Sequence, residues 1–276
     1  MKKMKTQFGK TLTITLLASA LIAALASLGH ASPIIGGDEV SQNDPVAETT
    51  VALMMKTASG MATCTGSIIA QDIIVTAAHC LIAENGQPLQ ASDLRVIFGT
   101  NLNDRKTISR VAEVIGTRFN PAFPTHMKQN YDHSDIGVIR FKGGLPAGFG
   151  IAALLPRSLP LRAGMVVELA GYGISNARAD SGDGILRKTD VQLASKFISK
   201  SEVAVDQRAG KGACHGDSGG PAFVTQGSQH YLFGVTSRGD VGDRFCDTLG
   251  IYTLISAHTG FLRQSIGQLR ALNALR

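Results

Sequence analysis

The stretch GACHGDSGGP occupies residues 212–221 and places an acid, a serine and two glycines side by side. Glycine adopts backbone angles and allows close approaches that other residues do not, so Gly216, Gly219 and Gly220 predict a bent main chain around the hydroxyl of Ser218. One interpretation is that Ser218 is a nucleophile. The other is a surface turn, because Gly, Asp and Ser are ordinary turn residues. The choice depends on the rest of the chain.

A serine hydroxyl becomes nucleophilic when a base takes its proton, and a histidine base needs an acid that fixes its tautomer. His79 is the best of the seven histidines, because it ends the run IIVTAAHC at residues 73–80, where a β-branched strand leads into small residues. The acid comes from YDHSDIGVIRF at residues 131–141. Asp135 directly precedes the alternating IGVIRF, at the mouth of a buried strand where a carboxylate needs a hydrogen-bonding partner, and we prefer it to Asp132.

The first residues have the pattern of a secretory signal peptide. Residues 2–10 hold four lysines and no acid, and residues 11–28 are apolar with small side chains near the end. Cleavage after Ala31 gives a signal peptide over 1–31, and the alternative end is Ala26. The mature protein is then expected to be secreted, extracellular or periplasmic. A retained membrane anchor is the second interpretation, because the apolar run is about long enough to span a bilayer.

The charge of the chain gives little support to a nucleic-acid partner. Residues 1–33 carry four lysines and no acid, so the formal net charge falls from +6 for the whole chain to +2 for residues 34–276. No run of Lys and Arg with interleaved aromatic residues appears, and nucleic acid is therefore not an expected partner. The remaining chain is long enough for one large all-β domain or two ordinary ones.

Four cysteines follow the export signal and predict two disulfides. They are Cys64, Cys80, Cys214 and Cys246, and the sequence by itself permits three pairings. No Cys-x-x-Cys pair is present. We predict no metal and no other cofactor.

Short apolar runs alternate with Gly, Asn, Asp and Pro from Ile34 onward. Ten of these runs fit strands of four to seven residues, which is too many for anything but an all-β body. Helical spacing is confined mainly to the C-terminal segment between Phe261 and Leu272, with Thr259 as the expected cap. The longest break in the strand pattern lies at residues 120–134 and is expected to join two halves of the molecule.

Three of these stretches together resemble one protein family. TAAHC at residues 76–80, SDIGVIRF at 134–141 and GDSGGP at 216–221 are similar, in this order, to the signatures of the chymotrypsin-like (trypsin-like) serine proteases. IIGG at 34–37 resembles the mature N-terminus of the family, and the chain as a whole resembles a secreted bacterial-type member. The resemblance implies an all-β fold of two six-stranded antiparallel β-barrels with a C-terminal helix, and an active site between the barrels.

The resemblance implies that residues 34–276 form a serine endopeptidase domain. Ser218 would attack the scissile carbonyl, with His79 as general base and then general acid, and Asp135 would orient the imidazole. The backbone N–H groups of Gly216 and Ser218 would form the oxyanion hole. The glycines then have a purpose that the turn interpretation lacks.

The family pattern also implies a zymogen. Cleavage before Ile34 would create an α-amino group that pairs with Asp217. Pro33 stands where the family has Arg or Lys, which argues against a tryptic activator. Residues 32–33 would be a short propeptide remnant, and our hypothesis is that an X-Pro dipeptidase removes it.

The resemblance selects one cysteine pairing and one class of partner. Cys64–Cys80 would brace the histidine loop, and Cys214–Cys246 would tie the nucleophile loop to the wall of the specificity pocket. Protein or peptide substrates and proteinaceous protease inhibitors are the implied partners. The mature protein is expected to be a monomer without membrane contact after signal removal.

In this family, the specificity pocket binds the substrate side chain before the scissile bond. The resemblance implies that Gly212, Gly239 and Gly250 line this pocket here and that Ser237 also contacts substrate. Three glycines predict a deep neutral slot and cleavage after large apolar or aromatic residues. The alternative is an Arg or Lys preference, supplied by Asp240 or Asp243 from the long segment RGDVGDRFC at residues 238–246. Arg238 stands where the family usually has tryptophan, which leaves the neighbouring substrate sites open.

Two other classes of function compete with a protease. A catalytically inactive homologue could use the same fold to bind a partner, but all three triad residues are present. Residues 216–220 also match the Gly-x-Ser-x-Gly pattern of esterases and lipases, but the chain order His, Asp, Ser differs from theirs.

Overall fold

Two β-barrels make up most of the chain in the structure, a computed structural model that describes residues 34–83, 85–194 and 198–272. The predicted signal peptide, with both of its ends, and residues 32–33 lie outside the described residues. Short strand β1 (Asp38–Glu39) and helix α1 (Pro45–Thr49) precede the first barrel. Its six strands are β2 (Thr50–Thr57), β3 (Gly60–Ala70), β4 (Ile73–Thr76), β5 (Leu94–Gly99), β6 (Ile108–Phe119) and β7 (Gly137–Phe141). They close in the order β2-β3-β4-β7-β6-β5, with every pair antiparallel.

The second barrel follows the short helix α2 (Phe123–His126) and strand β8 (Ala153–Leu154). Its strands are β9 (Val166–Gly171), β10 (Arg187–Leu193), β11 (Glu202–Asp206), β12 (Pro221–Gln226), β13 (Gln229–Gly239) and β14 (Leu249–Leu254). The ring β9-β10-β11-β14-β13-β12 is antiparallel and closes because β9 pairs with both β10 and β12. Helix α3 (Thr259–Ala271) ends the described chain. The predicted all-β fold with two barrels and a C-terminal helix is confirmed.

The ten apolar runs of the sequence correspond to ten of the twelve barrel strands, and β10 and β11 are not among them. In β10, with the sequence RKTDVQL, Arg187 and Thr189 are buried together with Val191 and Leu193. Polar residues on the inward face break the apolar alternation by which a half-buried strand is recognised. Strand β11, EVAVD, has five residues and begins with the buried Glu202.

Two expectations are wrong, one about the connection between the barrels and one about the cap of the C-terminal helix. Residues 120–134 join β6 to β7 inside the first barrel, and the connection between the barrels instead starts after β7. Thr259 does not cap α3, because it already has helical backbone angles and follows a 3-10 turn at residues 255–258. The helix packs on the first barrel, where Leu262 and Leu269 are buried in the core, as its apolar spacing predicts.

The barrels place the predicted site residues at strand ends. The fully buried β4 leads into His79, and β7 begins two residues after Asp135. Ser218 lies three residues before β12, and Ser237 lies near the end of β13. Rigid strands therefore fix side chains that are far apart along the chain, such as Asp135 and Ser237, which are 102 residues apart.

Candidate active site

His79 and Asp135 form a close pair. The Nδ1 atom of His79 lies 2.8 Å from Oδ2 of Asp135, and the His79 backbone N–H donates to Oδ1 at 3.0 Å. An ionised carboxylate can only accept, so the neutral imidazole carries its proton on Nδ1 and leaves Nε2 free to act as a base. The His79 side chain is 35% exposed, whereas the Asp135 side chain is 3% exposed.

Asp135 is supported by a third group. The hydroxyl of Ser237 donates to Oδ2 at 2.7 Å. Burial disfavours the charged form of Asp135, but the charge and hydrogen bond of His79 and the Ser237 bond outweigh it and lower the carboxyl pKa. For His79, burial opposes the imidazolium, yet the charge and hydrogen bond of Asp135 hold its pKa above 6.5. Asp132 lies elsewhere, accepting bonds from the hydroxyls of Ser199 and Ser201.

Ser218 lies on the loop that packs against the first barrel beside His79. Its carbonyl oxygen accepts from the backbone N–H of Thr65 at 2.8 Å and lies 3.6 Å from Sγ of Cys80, the neighbour of His79. Within the described chain, the Ser218 hydroxyl makes no hydrogen bond to the imidazole. In unliganded enzymes this contact is often long and shortens when substrate binds.

The backbone around Ser218 presents two N–H groups without partners. Neither the N–H of Gly216 nor that of Ser218 has an acceptor among the described residues. Gly216 has a φ of +94°, and a Cβ there would lie 2.7 Å from Cα of Gly173, so only glycine fits. Buried Thr65 holds the same loop from the other side, because its Oγ1 donates to the Gly216 carbonyl at 3.0 Å. The two N–H groups can thus donate hydrogen bonds to an oxygen atom of a bound substrate.

Asp217 points away from Ser218 into the second barrel. It is fully buried and accepts from the N–H groups of Gly173 and Cys214, both at 2.8 Å. Burial raises the pKa of Asp217 to about 7. Ile34 is also fully buried, and the next residue, Ile35, pairs with Gly212 at the start of the nucleophile loop. The segment with the predicted new N-terminus is therefore docked beside the loop that carries Asp217.

Two disulfides brace these loops. They join Cys64 to Cys80 and Cys214 to Cys246, the pairs that the resemblance implies. In the described chain, two groups of cysteine and histidine are close enough together to suggest a metal site. Each group consists of one bonded cysteine pair and one histidine, which is His79 or His215. Cysteines in a disulfide cannot supply thiolate ligands.

Comparison with known proteins gives the family. The family model described as Trypsin matches residues 34–261. The chain belongs to the trypsin family. Members of this family are serine endopeptidases, which act on proteins or peptides.

Three relatives have similar identity to this member of the trypsin family. Trypsin alpha of Drosophila erecta is 30% identical over 205 residues, which cover 70% of this chain and 74% of that protein. Snake venom serine proteinase 14 of Crotalus adamanteus is 29% identical over 225 residues, 75% of this chain and 79% of the relative. Chymotrypsin of Phaedon cochleariae is 27% identical over 213 residues, 73% and 71% respectively. Relatives named for trypsin and for chymotrypsin match about equally well, so similarity alone does not choose a substrate side chain.

The three glycines predicted to line the specificity pocket are present, but the space between Gly212 and Gly250 is not an open slot. Gly212 and Gly250 are buried, and the side chain of Gln207 lies between them. Gly239 is exposed and lies close to Asp243. No sequence pattern identifies Gln207, because β11 and the turn after it bring it there.

A second unpredicted group lies behind Ser237. Glu202 is fully buried and forms a two-point ion pair with Arg238, with N–O distances of 2.7 and 3.0 Å. The Glu202 carboxylate also accepts from the backbone N–H groups of Asp132 and His133. Burial opposes its charge, but these bonds prevail and lower the Glu202 pKa. In this trypsin-family chain, Glu202 thus connects β11 to Arg238 on β13 and to the loop that precedes Asp135.

Replacing Glu202 by glutamine should destabilise the protein by about 3 kcal/mol, because Arg238 would lose its counter-charge in a largely buried position. The free energy of unfolding in urea measures this. Glu113→Gln is the matched control, since the Glu113–Lys142 pair is exposed (69% and 73%), and it should cost less than about 1 kcal/mol. Equal effects of the two substitutions would contradict a structural role for the buried pair.

Three histidines outside the site have polar neighbours. His126, His230 and His258 are half-buried and contact Ser134, Glu168 and Asn120 respectively. Among the described residues, no helix is long and apolar enough to cross a membrane.

Proposed function

We propose that this chain is a secreted serine endopeptidase that uses Ser218, His79 and Asp135. The observation that carries the proposal is the buried Asp135 carboxylate, held by Ser237 and aimed at Nδ1 of the partly exposed His79. The N–H groups of Gly216 and Ser218, which have no acceptor among the described residues, support it. A buried acid, an accessible imidazole and a pair of free donors beside one serine are the parts that acyl transfer needs.

In the proposed mechanism, Nε2 of His79 takes the Ser218 proton while Oγ forms a bond to the scissile carbonyl carbon. The carbonyl oxygen becomes an oxyanion and accepts hydrogen bonds from the N–H groups of Gly216 and Ser218. Collapse of this intermediate breaks the C–N bond, and the imidazolium gives its proton to the departing amine. A water molecule, deprotonated by His79, then hydrolyses the acyl-enzyme and restores the serine. Asp135 keeps its negative charge throughout and stabilises the imidazolium.

Activation would occur by processing before Ile34. We place the signal peptide at residues 1–31, with Ala26 as the alternative end, and assign residues 32–33 as a remnant that an X-Pro dipeptidase removes. The protease domain then spans 34–276. Export to the extracellular space or the periplasm fits this leader and the two disulfides, which persist in oxidising compartments.

Processing should change how stability depends on pH. In the precursor, folding raises the Asp217 pKa to about 7, so the folded state holds this proton more tightly than the unfolded chain. The contribution of Asp217 to stability is then largest in acid and falls as the pH rises from about 4 to 7, by about 4 kcal/mol in all. In the processed form, the Ile34 ammonium compensates the ionised carboxylate. We expect the stability advantage of processed over precursor protein to grow by about 3 kcal/mol between pH 5 and pH 8.

Urea unfolding of both forms at the two pH values measures this difference, with Ser218→Ala in each to prevent autolysis. Asp217→Asn in the precursor is the control, because it removes the titrating group and should flatten the pH dependence. Parallel pH profiles for processed and precursor protein would refute the proposed pairing. Sequencing the N-terminus of the active enzyme tests the start at Ile34 directly.

The proposed substrate side chain is neutral. Gly212 carries no charge, and Asp243 accepts four hydrogen bonds from its own loop. Asp240 accepts from the N–H of Val241. Digestion of a peptide library with processed protein, wild type against Ser218→Ala, tests both the activity and this preference. Cleavage by both proteins alike would end the proposal.

A further inference from the structure

We propose that Gln207 sets the depth of the specificity pocket and restricts the residue before the scissile bond to neutral side chains of aliphatic size. This inference rests on the proposed protease function and narrows its preference from large apolar or aromatic residues to aliphatic ones. The prediction from three glycines alone takes the slot to be open. The structure provides a residue that fills it.

The position of Gln207 follows from what surrounds the two buried glycines. A Cβ added to Gly212 would lie 2.3 Å from Cδ of Gln207, and one added to Gly250 would lie 2.4 Å from its Oε1. The carboxamide therefore occupies the space into which a side chain at either position would extend. Gln207 itself is 1% exposed. A water-filled slot reaching down between the two glycines would expose this side chain, so the space is closed.

This region adjoins the proposed catalytic residues. Gly212 lies six residues before Ser218, and Gly250 pairs with Gly239 at the end of β13, two residues after the Ser237 that contacts Asp135. The end of β13 and the loop that begins at Gly212 thus flank one space next to the triad. A substrate side chain entering between them would meet Gln207 at the bottom.

Hydrogen bonds fix the carboxamide in this place. Its Nε2 donates to the carbonyls of Ala213 and Cys246 at 3.1 and 3.0 Å, and its Oε1 accepts from the Ala213 N–H at 3.0 Å. Both amide hydrogens are used, and a rotamer change would leave buried backbone groups without partners. Gln207 therefore cannot swing aside at low cost when a long or aromatic side chain arrives.

The floor that Gln207 forms is uncharged. A Lys or Arg side chain would lose hydration on entry without meeting a carboxylate at the base. The Asp243 side chain lies nearest to Gly239, which is exposed, so its charge is at the rim of the space. A side chain of Leu or Met size matches a shortened neutral pocket, whereas Phe or Tyr needs the depth that Gln207 takes up.

The test compares kcat/KM for matched peptides that differ only in the residue before the scissile bond, which is Leu, Phe or Arg. Wild-type enzyme should prefer Leu to Phe, and Leu to Arg, by at least about 10-fold, the range in which pockets discriminate by size. Gln207→Ala opens the space and should raise the Phe-to-Leu ratio at least about 10-fold. Gln207→Met keeps the volume and should preserve the Leu preference. Gln192→Ala, at an exposed glutamine of β10, should change nothing.

Titration of reactive serine with a phosphonate ester counts active sites in each variant, so that a folding defect is not read as a change of preference. A wild-type preference for Phe or Arg would overturn the role of Gln207 while leaving the protease function in place. An unchanged Phe-to-Leu ratio in Gln207→Ala would do the same. Failure of wild-type enzyme to cleave any peptide or to react with the phosphonate would instead count against the proposed function itself.

Discussion

Replacing Ser218 by alanine should lower kcat by about a million-fold, the scale of loss seen when the nucleophile is removed from a Ser-His-Asp enzyme. Without Oγ no acyl-enzyme can form, and His79 can only activate water. The oxyanion donors and the substrate pocket would remain, so a residual rate of about 10³ to 10⁴ times that in water should persist. Initial rates on the best library peptide measure the loss.

The same substitution should leave the fold intact. Ser218 is half-buried, and its backbone carbonyl, not its hydroxyl, makes the contact with Thr65. The unfolding midpoint should therefore change little, which circular dichroism can show. Ser228→Ala, at an exposed serine between β12 and β13, is the matched control and should keep full activity. If Ser218→Ala retained wild-type rates, Ser218 would not be the nucleophile, and the proposed mechanism would be wrong.

Short stretches with unusual composition were enough to predict the fold and the candidate triad. The glycines around Ser218 and the placement of His79 and Asp135 at strand ends are local signals, because backbone angles and burial at these points exclude most other residues. Their order along the chain then identified the family. Local patterns were sufficient for these predictions because the backbone angles and the burial at each strand end or turn restrict which residues can occur there.

The features that sequence missed depend on contacts between distant strands. Gln207 reaches the two glycines because β11 pairs with β14. In this pairing Val205 lies opposite Gly250, and Gln207 follows Val205 by two residues. Glu202 had one visible signal, an acid at the start of a Val-rich strand, but its partner Arg238 lies on another strand. The inward Arg187 and Thr189 hid β10 for the same reason. Polar residues that satisfy each other across a barrel look like surface residues in the linear sequence.

Replacing Asp135 by asparagine should reduce kcat by about 10⁴-fold near neutral pH, as in members of this family where the change has been measured. The amide keeps the size of the side chain, so the loss reports charge and tautomer. An asparagine NH2 facing Nδ1 would donate where the carboxylate accepts, which moves the imidazole proton to Nε2 and removes the base. The Asp135 charge also raises the His79 pKa, so this pKa should fall in the variant, as NMR titration of the ring can show.

Asp132→Asn is the matched control for this prediction, because Asp132 is the other acid of the same loop and contacts Ser199 and Ser201 instead of His79. It should leave kcat within a few-fold of wild type and the His79 pKa unchanged. In wild type, kcat/KM should rise with pH as His79 loses its proton, with a midpoint above 6.5 since Asp135 stabilises the imidazolium. A larger loss in Asp132→Asn than in Asp135→Asn would reverse the assignment, because then the acid that serves His79 would not be the one that its Nδ1 faces.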